Sequence, residues 1–237
     1  MIDWLDDYQR PTFPDTSRAM HEPNGLLAGG GIVSPLWLDT AYRQGIFPWN
    51  DPEEERMWWT PSPRAVITPA SFRIPRTVRK DLNSTKAHIT ANIAFRRVMQ
   101  ACAEPRGFSD SKKDVGTWIS QDMIDAYESL HRAGRAISVE HWNANGELTG
   151  GFYGLMIGRV IFGESMFSHE PNASKRAFAT AAPKLFELGI ELIDCQMKTE
   201  HLARFGLIEL DRDDFEKQLI LNTTKPTIRA LPVVLKR

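Results

Sequence analysis

The spacing of apolar residues changes period along the chain, and each change predicts an element. Residues 1–20 are polar, contain Pro11 and Pro14 and show no period, which predicts an arm lying over the surface. Helical spacing first appears at Leu36, Leu38, Ala41 and Tyr42, with Ser34 placed to cap the helix, Pro35 at its first position and Gly45 past its end. AVITPASFRI reads as strand and turn, HITANI as a strand and AFRRVMQACAE as a helix. In SQDMIDAYESLHRAG, the apolar stripe Ile119, Met123, Tyr127 and Leu130 predicts a helix, which Ser120 can cap and Gly134 can end. RAISVEHWNANGELTGGFYG reads as a hairpin turning at Asn145-Gly146, and a turn at Gly158 leads into the strand RVIFGESMF. A helix from Ala173 to Leu188, the strand IELIDCQMK, a short helix around His201, the strand FGLIEL and a helix capped by Asp211 follow. Pro183 falls inside the first of these helices, where a missing amide costs about 3 kcal/mol, so a kink or break is expected there.

Three antiparallel strands followed by helix, strand, helix and strand make an α+β order, which is shared by the acetyltransferase-like fold. NDPEEERMWWTPSPR, residues 50–64, is rich in Pro, Trp and acid; it predicts a boundary between a small N-terminal domain, residues 1–62, and a larger domain, residues 63–237. Gly29, Gly30 and Gly31 are followed by no Lys-Ser or Lys-Thr, so they predict a turn and not a phosphate loop. HEPN occurs at both His21 and His169, but the surrounding sequences do not match and no repeat is implied.

Composition is that of a soluble globular protein, with 42% hydrophobic and 25% charged residues in a chain of 237. With no apolar run long enough to cross a bilayer and no basic start followed by an apolar stretch, the expectation is a cytoplasmic protein without membrane association. Cys102 and Cys195 have no paired spacing and read as reduced core residues. The net charge of −1 decides nothing about nucleic acid, but Arg73, Arg76, Arg79, Lys80, Lys86, Arg96 and Arg97 fall close together, with Lys112 and Lys113 soon after. Such a group is either a solvated surface or a phosphate-binding face. The six histidines lack ligand spacing, so no metal is expected. GESMF lacks the closing glycine of a serine nucleophile elbow. Trp49, Trp58, Trp59 and Trp118 fall in predicted loops, where they are either core or platforms for a stacked base.

The least expected residue is Glu164, a carboxylate in an apolar strand. Strict alternation places it on one face with Val160, Phe162 and Met166, and places Asp194 and Gln196 on one face with Ile190 and Leu192. If the two strands are parallel neighbours, their polar ends open into one crevice, apolar below and acidic at the rim. Such a crevice suits an ammonium or guanidinium group; alternatively Glu164 pairs with Lys175 or Arg176.

EPNGLLA, YRQGIFPW, WWTPSPRAV, GTWI, GGFYG, FGESMFS, NASK and LIDCQ, in this order between residues 22 and 196, closely resemble leucyl/phenylalanyl-tRNA–protein transferases. The resemblance implies a mixed sheet flanked by helices, as in acetyltransferases, behind a small N-terminal α+β domain. It implies transfer of Leu or Phe, with Met a further candidate, from aminoacyl-tRNA to the α-amine of proteins beginning with Arg or Lys, which creates an N-end rule degradation signal. No metal or coenzyme is implied, because the aminoacyl ester is already activated, and a monomer is the default. Asp194 and Gln196 match the family's polar pair that takes up or relays the amine's proton, and Glu164 its carboxylate near the acceptor. Trp49 and Trp118 match positions near the aminoacyl-adenosine, Tyr127 lies on the following helix, and Phe152, Phe162, Met166 and Phe178 would form the side-chain pocket. The chain departs from the family at Phe152 and Phe178, where Met and Leu are frequent, so larger rings would narrow the pocket. Arg73, Arg76, Arg79, Lys80, Arg96 and Arg97 are then candidates for gripping the tRNA acceptor stem. An acyl-CoA acetyltransferase is disfavoured because the turn SHEPNASK has no glycine, and a non-catalytic tRNA-end binder would have no need of Asp194, Gln196 and Glu164 together.

Overall fold

The computed structural model describes residues 2–50, 54–84, 86–104, 118–228 and 230–235. The first part builds β1 (Asp3–Leu5), β2 (Leu26–Gly30), α1 (Pro35–Tyr42), β3 (Phe47–Pro48) and β4 (Met57–Trp59), whose strands form a sheet in the order β1-β2-β4-β3. The N-terminal segment is therefore more than an arm. β1 pairs parallel to β2, and the Phe13 ring is buried against Trp37 and Trp58, with centroids 5.8 and 4.8 Å away. Phe13, with Leu5 and Ala19 packed against the same core, anchors a stretch that is otherwise polar. Ser34 caps α1, its hydroxyl accepting from the Trp37 amide.

The remainder builds β5 (Arg64–Ile67), α2 (Arg76–Ser84), β6 (His88–Ala91), α3 (Phe95–Cys102), α4 (Gln121–Arg132), β7 (Ala136–Trp142), β8 (Leu148–Ile157), β9 (Val160–Ser168), α5 (Ala173–Glu187), β10 (Leu192–Asp194), α6 (Glu200–Ala203), β11 (Ile208–Leu210), α7 (Arg212–Thr223) and β12 (Val234–Leu235). Its eight strands run in the order β11-β5-β10-β9-β8-β7-β6-β12, with every neighbouring pair antiparallel except β9 and β10. This mixed sheet flanked by helices is the α+β architecture expected.

Helices cover both faces of the sheet. Phe95, Val98, Met123, Tyr127 and Phe215 from α3, α4 and α7 pack with Tyr153, Leu155 and Phe162 on one face. Val78, Leu82, Phe178 and Leu185 from α2 and α5 pack with Phe152, Ile161 and Ile193 on the other. α1 joins the two sheets, because Leu38 and Tyr42 enter the first of these cores while Trp37 and Ala41 belong to the small sheet's core.

Two local expectations change. Of the kink or break expected at Pro183, the break is absent, and α5 runs through it from Ala173 to Glu187. Ala177, Ala181, Ala182 and Leu185 are buried against the sheet, and that packing outweighs one missing backbone bond. Ser120 sits at the start of α4 but makes no capping bond; its hydroxyl donates to the Asp122 carboxylate, whose Oδ1 also accepts from the Met123 amide.

Candidate active site

β9 and β10 pair in parallel from Val160↔Leu192 to Phe162↔Asp194, and there the pairing stops. β9 continues to Ser168 against β8 alone, while the chain after Asp194 turns away through Gln196, which takes the left-handed φ of 55°. The gap left between the strands opens a cavity of about 560 Å³. It draws Phe47, Pro48, Trp49, Trp118 and Glu164 from one side of the sheet, and Phe152, Met166, Phe178 and Leu185 from the other. Gln196, Met197 and Thr199 contribute from the turn after β10. An opening at the carboxyl ends of parallel strands is a common ligand site in sheets of this kind.

Glu164 owes its position to a bulge. Tyr153 pairs with Ser165 and Gly154 with Gly163, which leaves Glu164 without a counterpart on β8. The extra residue shifts the alternation of β9, so Val160 and Phe162 share the face covered by α4 whereas Met166 faces α5 beside Phe152 and Phe178. The expectation that Glu164 and Met166 share a face is thereby overturned. Glu164 keeps partial exposure through the cavity, but its Oε1 is buried and has no partner among the described residues. Burial pushes its carboxyl up to about 8; the Tyr42 and Tyr127 hydroxyls oppose this, Asp194 adds to it and Arg64 opposes it. Tyr42 and Tyr127 are fully buried with hydroxyl oxygens 2.7 Å apart, and Tyr153 packs edge-on against Tyr127 at 5.6 Å. Burial and then the neighbouring Glu164 charge raise all three phenols well above their ordinary value.

Asp194 is placed differently from the acidic rim expected of it. It is fully buried, and its two oxygens accept from Arg64 Nε at 2.8 Å and Nη2 at 2.7 Å. Oδ1 also accepts from the Gln196 amide at 2.9 Å. A lone carboxylate could not stay charged at such a depth, and the bidentate guanidinium is what makes its burial tolerable. Gln196, and not Asp194, lines the cavity.

The leucyl/phenylalanyl-tRNA protein transferase family matches residues 66–220, and that family's N-terminal domain matches residues 31–62. A leucyl/phenylalanyl-tRNA–protein transferase of Nitrosomonas europaea is 50% identical over 212 residues, covering 90% of this chain and 87% of its own. The chain belongs to the leucyl/phenylalanyl-tRNA–protein transferase family. Another member, from Cellvibrio japonicus, is 45% identical over 226 residues, covering 95% of this chain and 93% of its own. Among solved structures, L-PGS from Bacillus licheniformis is similar at a TM-score of 0.40 and 10% identity, covering 83% of this chain and 71% of that one.

Of the residues singled out by likeness to the transferase family, Trp49, Trp118, Phe152, Met166 and Phe178 meet at the cavity with Glu164 and Gln196. Trp49 is 41% exposed, its ring edge-on to Trp59 at 5.6 Å, which leaves a face for stacking. Phe152 and Phe178 meet edge-to-face at 5.8 Å inside the apolar part. Phe162 and Tyr127 do not line the cavity: Phe162 packs on the Tyr42 ring at 4.9 Å, and Tyr127 stands behind Glu164. The basic group is divided between the two faces of the sheet. Arg73, Arg76, Arg79 and Lys80 are exposed on and just before α2, whereas Arg96 and Arg97 belong to α3 on the other side. Arg96 is held by Asp125 at 3.1 Å and Glu128 at 2.6 Å, and Arg97 lies over the Trp142 ring at 5.3 Å. Lys112 and Lys113 lie outside the described residues. Sequence reasoning missed Arg64, Tyr42, Tyr153 and His201, of which Tyr153 and His201 line the cavity. Arg64 and Tyr42 stand inside motifs noted above, but nothing in their spacing pairs them with residues far along the chain.

Proposed function

We propose that this chain transfers Leu or Phe, with Met as a further candidate, from aminoacyl-tRNA to the α-amine of proteins beginning with Arg or Lys. The observation that carries this reading is the cavity at the parting of β9 and β10: an aromatic wall at one side, an apolar pouch at the other, and Glu164 with Gln196 between them. The 3′ adenosine stacks on Trp49 and Trp118, and the acyl side chain enters the pouch of Phe152, Met166 and Phe178. The ester carbonyl then lies near Gln196 and Glu164, where the cationic side chain of an N-terminal Arg or Lys draws Glu164 into its charged form and the α-amine stands neutral beside the ester. The amine attacks the carbonyl carbon; the C–N bond forms as the C–O bond breaks, and the proton lost from nitrogen is balanced by the one gained by the leaving ribose hydroxyl. Gln196 meets the amine, and Asp194, with both oxygens engaged, acts through the turn that aims Gln196. Holding both reactants in register supplies much of the acceleration. Arg73, Arg76, Arg79 and Lys80 form the face for acceptor-stem phosphates. Transfer of this kind belongs in the cytoplasm, where charged tRNA is found, and requires no second subunit.

The test mixes the protein with radiolabelled Leu-tRNA and two peptides, one beginning with Arg and one with Asp. Label on the Arg peptide alone is expected. Label on both would remove Glu164 from acceptor selection, and label on neither would overturn the reading.

A further inference from the structure

We propose that Arg64 is a positioning residue for the transfer step, setting both the Gln196 turn and the aromatic wall; this rests on the aminoacyl-transfer reading above. Arg64 is the first residue of β5, is fully buried and does not line the cavity, so it reaches no substrate itself. Its guanidinium meets parts of the site that are far apart in sequence. One edge binds Asp194 through two parallel bonds of 2.8 and 2.7 Å, and Asp194 Oδ1 at the same time accepts the Gln196 amide at 2.9 Å. The guanidinium carbon also lies over the Phe47 ring at 5.0 Å and over the Phe215 ring at 4.7 Å. Phe47 is continuous with Pro48 and Trp49, and all three line the cavity. The strand that carries Arg64 clasps the same turn, since the Cys195 amide donates to the Ala65 carbonyl at 2.9 Å and the Ala65 amide to the Gln196 carbonyl at 3.3 Å.

Gln196 needs this support. It is a side-chain-bearing residue at a φ of 55°, a conformation that local sterics disfavour and that surrounding bonds must hold. Asp194 supplies one such bond only while its carboxylate is oriented, and in a fully buried place Arg64 is what orients it. A planar fork fits this task and a lysine ammonium does not, because it can neither bind both oxygens in parallel nor present a planar face to aromatic rings. Arg64 thus ties the orientation of Gln196 to the position of the Phe47–Trp49 wall.

The experiment compares wild type, Arg64→Lys and Arg64→Gly, with kcat and KM for Leu-tRNA and for an Arg-peptide expressed per folded molecule as judged by near-UV circular dichroism. Arg64→Lys is expected to lower kcat about 100-fold, the scale of a misplaced reacting group, and to raise KM for Leu-tRNA while leaving KM for the peptide within about twofold. Millimolar guanidinium, far below denaturing concentrations, should restore kcat to folded Arg64→Gly where equal urea or ammonium does not. A merely structural role would change the folded fraction and leave kcat per folded molecule alone. Wild-type kcat per folded molecule in Arg64→Lys, or a folded Arg64→Gly that guanidinium leaves inactive, overturns the proposal. A wild-type protein that transfers nothing overturns instead the reading on which it rests.

Discussion

Replacing Glu164 with Gln asks whether the β9 bulge holds a neutral carboxyl or a carboxylate. An ordinary Glu titrates at 4.5, whereas burial raises Glu164 to about 8. Between those values the folded chain holds more protons than the unfolded one, so this group's contribution to stability is complete below 4.5, declines as pH rises, and is lost above 8. At about 1.4 kcal/mol per pH unit, the decline amounts to about 5 kcal/mol as a ceiling. The groups facing Glu164 are Tyr42 from α1, Tyr127 from α4, Tyr153 from β8, Asp194 from β10 and Arg64 from β5. The three phenols are raised above their ordinary 10.0 and stay neutral throughout, which leaves the carboxyl as the group that titrates here. Gln mimics the neutral form at every pH. Thermal unfolding of both proteins at pH 5, 6, 7 and 8 should give stabilities within about 1 kcal/mol at pH 5 that then separate, with Glu164→Gln the more stable by several kcal/mol at pH 8. For a chain of this size that is about 10 °C in Tm. Because an arriving Arg or Lys side chain draws Glu164 into its charged form, which Gln cannot supply, the same variant should lose most of its transfer activity, and the gain in stability marks what that charged form costs the fold. Parallel pH profiles for the two proteins would show that the carboxyl is ionised throughout, and would refute the reasoning from burial.

Three further outcomes are expected. Asp194→Asn should leave tRNA affinity nearly intact by filter binding, slow transfer strongly, and lower stability by about 3–5 kcal/mol by chemical denaturation, because Arg64 is left buried with a neutral partner. Phe178→Leu should open the pouch beside Phe152 and raise kcat/KM for Phe-tRNA relative to Leu-tRNA by about tenfold or more; an unchanged ratio would place the acyl side chain elsewhere. Arg79→Ala should weaken tRNA binding across sequences and reduce the slope of log affinity against log salt by about 1, and an unchanged slope would remove α2 from the phosphate contacts.

How much of this was legible in the chain differs from element to element. The stripe on α4, the Ser34 cap and the hairpin turn at Asn145-Gly146 follow from spacing, because periodicity and turn chemistry act over a few residues, whereas the parallel pairing of β9 and β10 was only a condition there and the structure supplies it. The family motifs marked Glu164, Gln196, Trp49, Trp118, Phe152, Met166 and Phe178, and these residues do meet at one cavity. What spacing could not foresee depends on contacts between distant residues. Met166 changes face because β8 lacks a partner for Glu164, and a bulge belongs to the pairing of two strands and not to either one. Asp194 leaves the rim for the interior because Arg64, 130 positions earlier, meets it there beside the Phe47 and Phe215 rings. The sequence by itself determined the elements, the motifs and the kinds of side chain available. Only the tertiary structure decided which carboxylate faces the cavity and which is held behind it, because burial, register and pairing are properties of the assembled sheet.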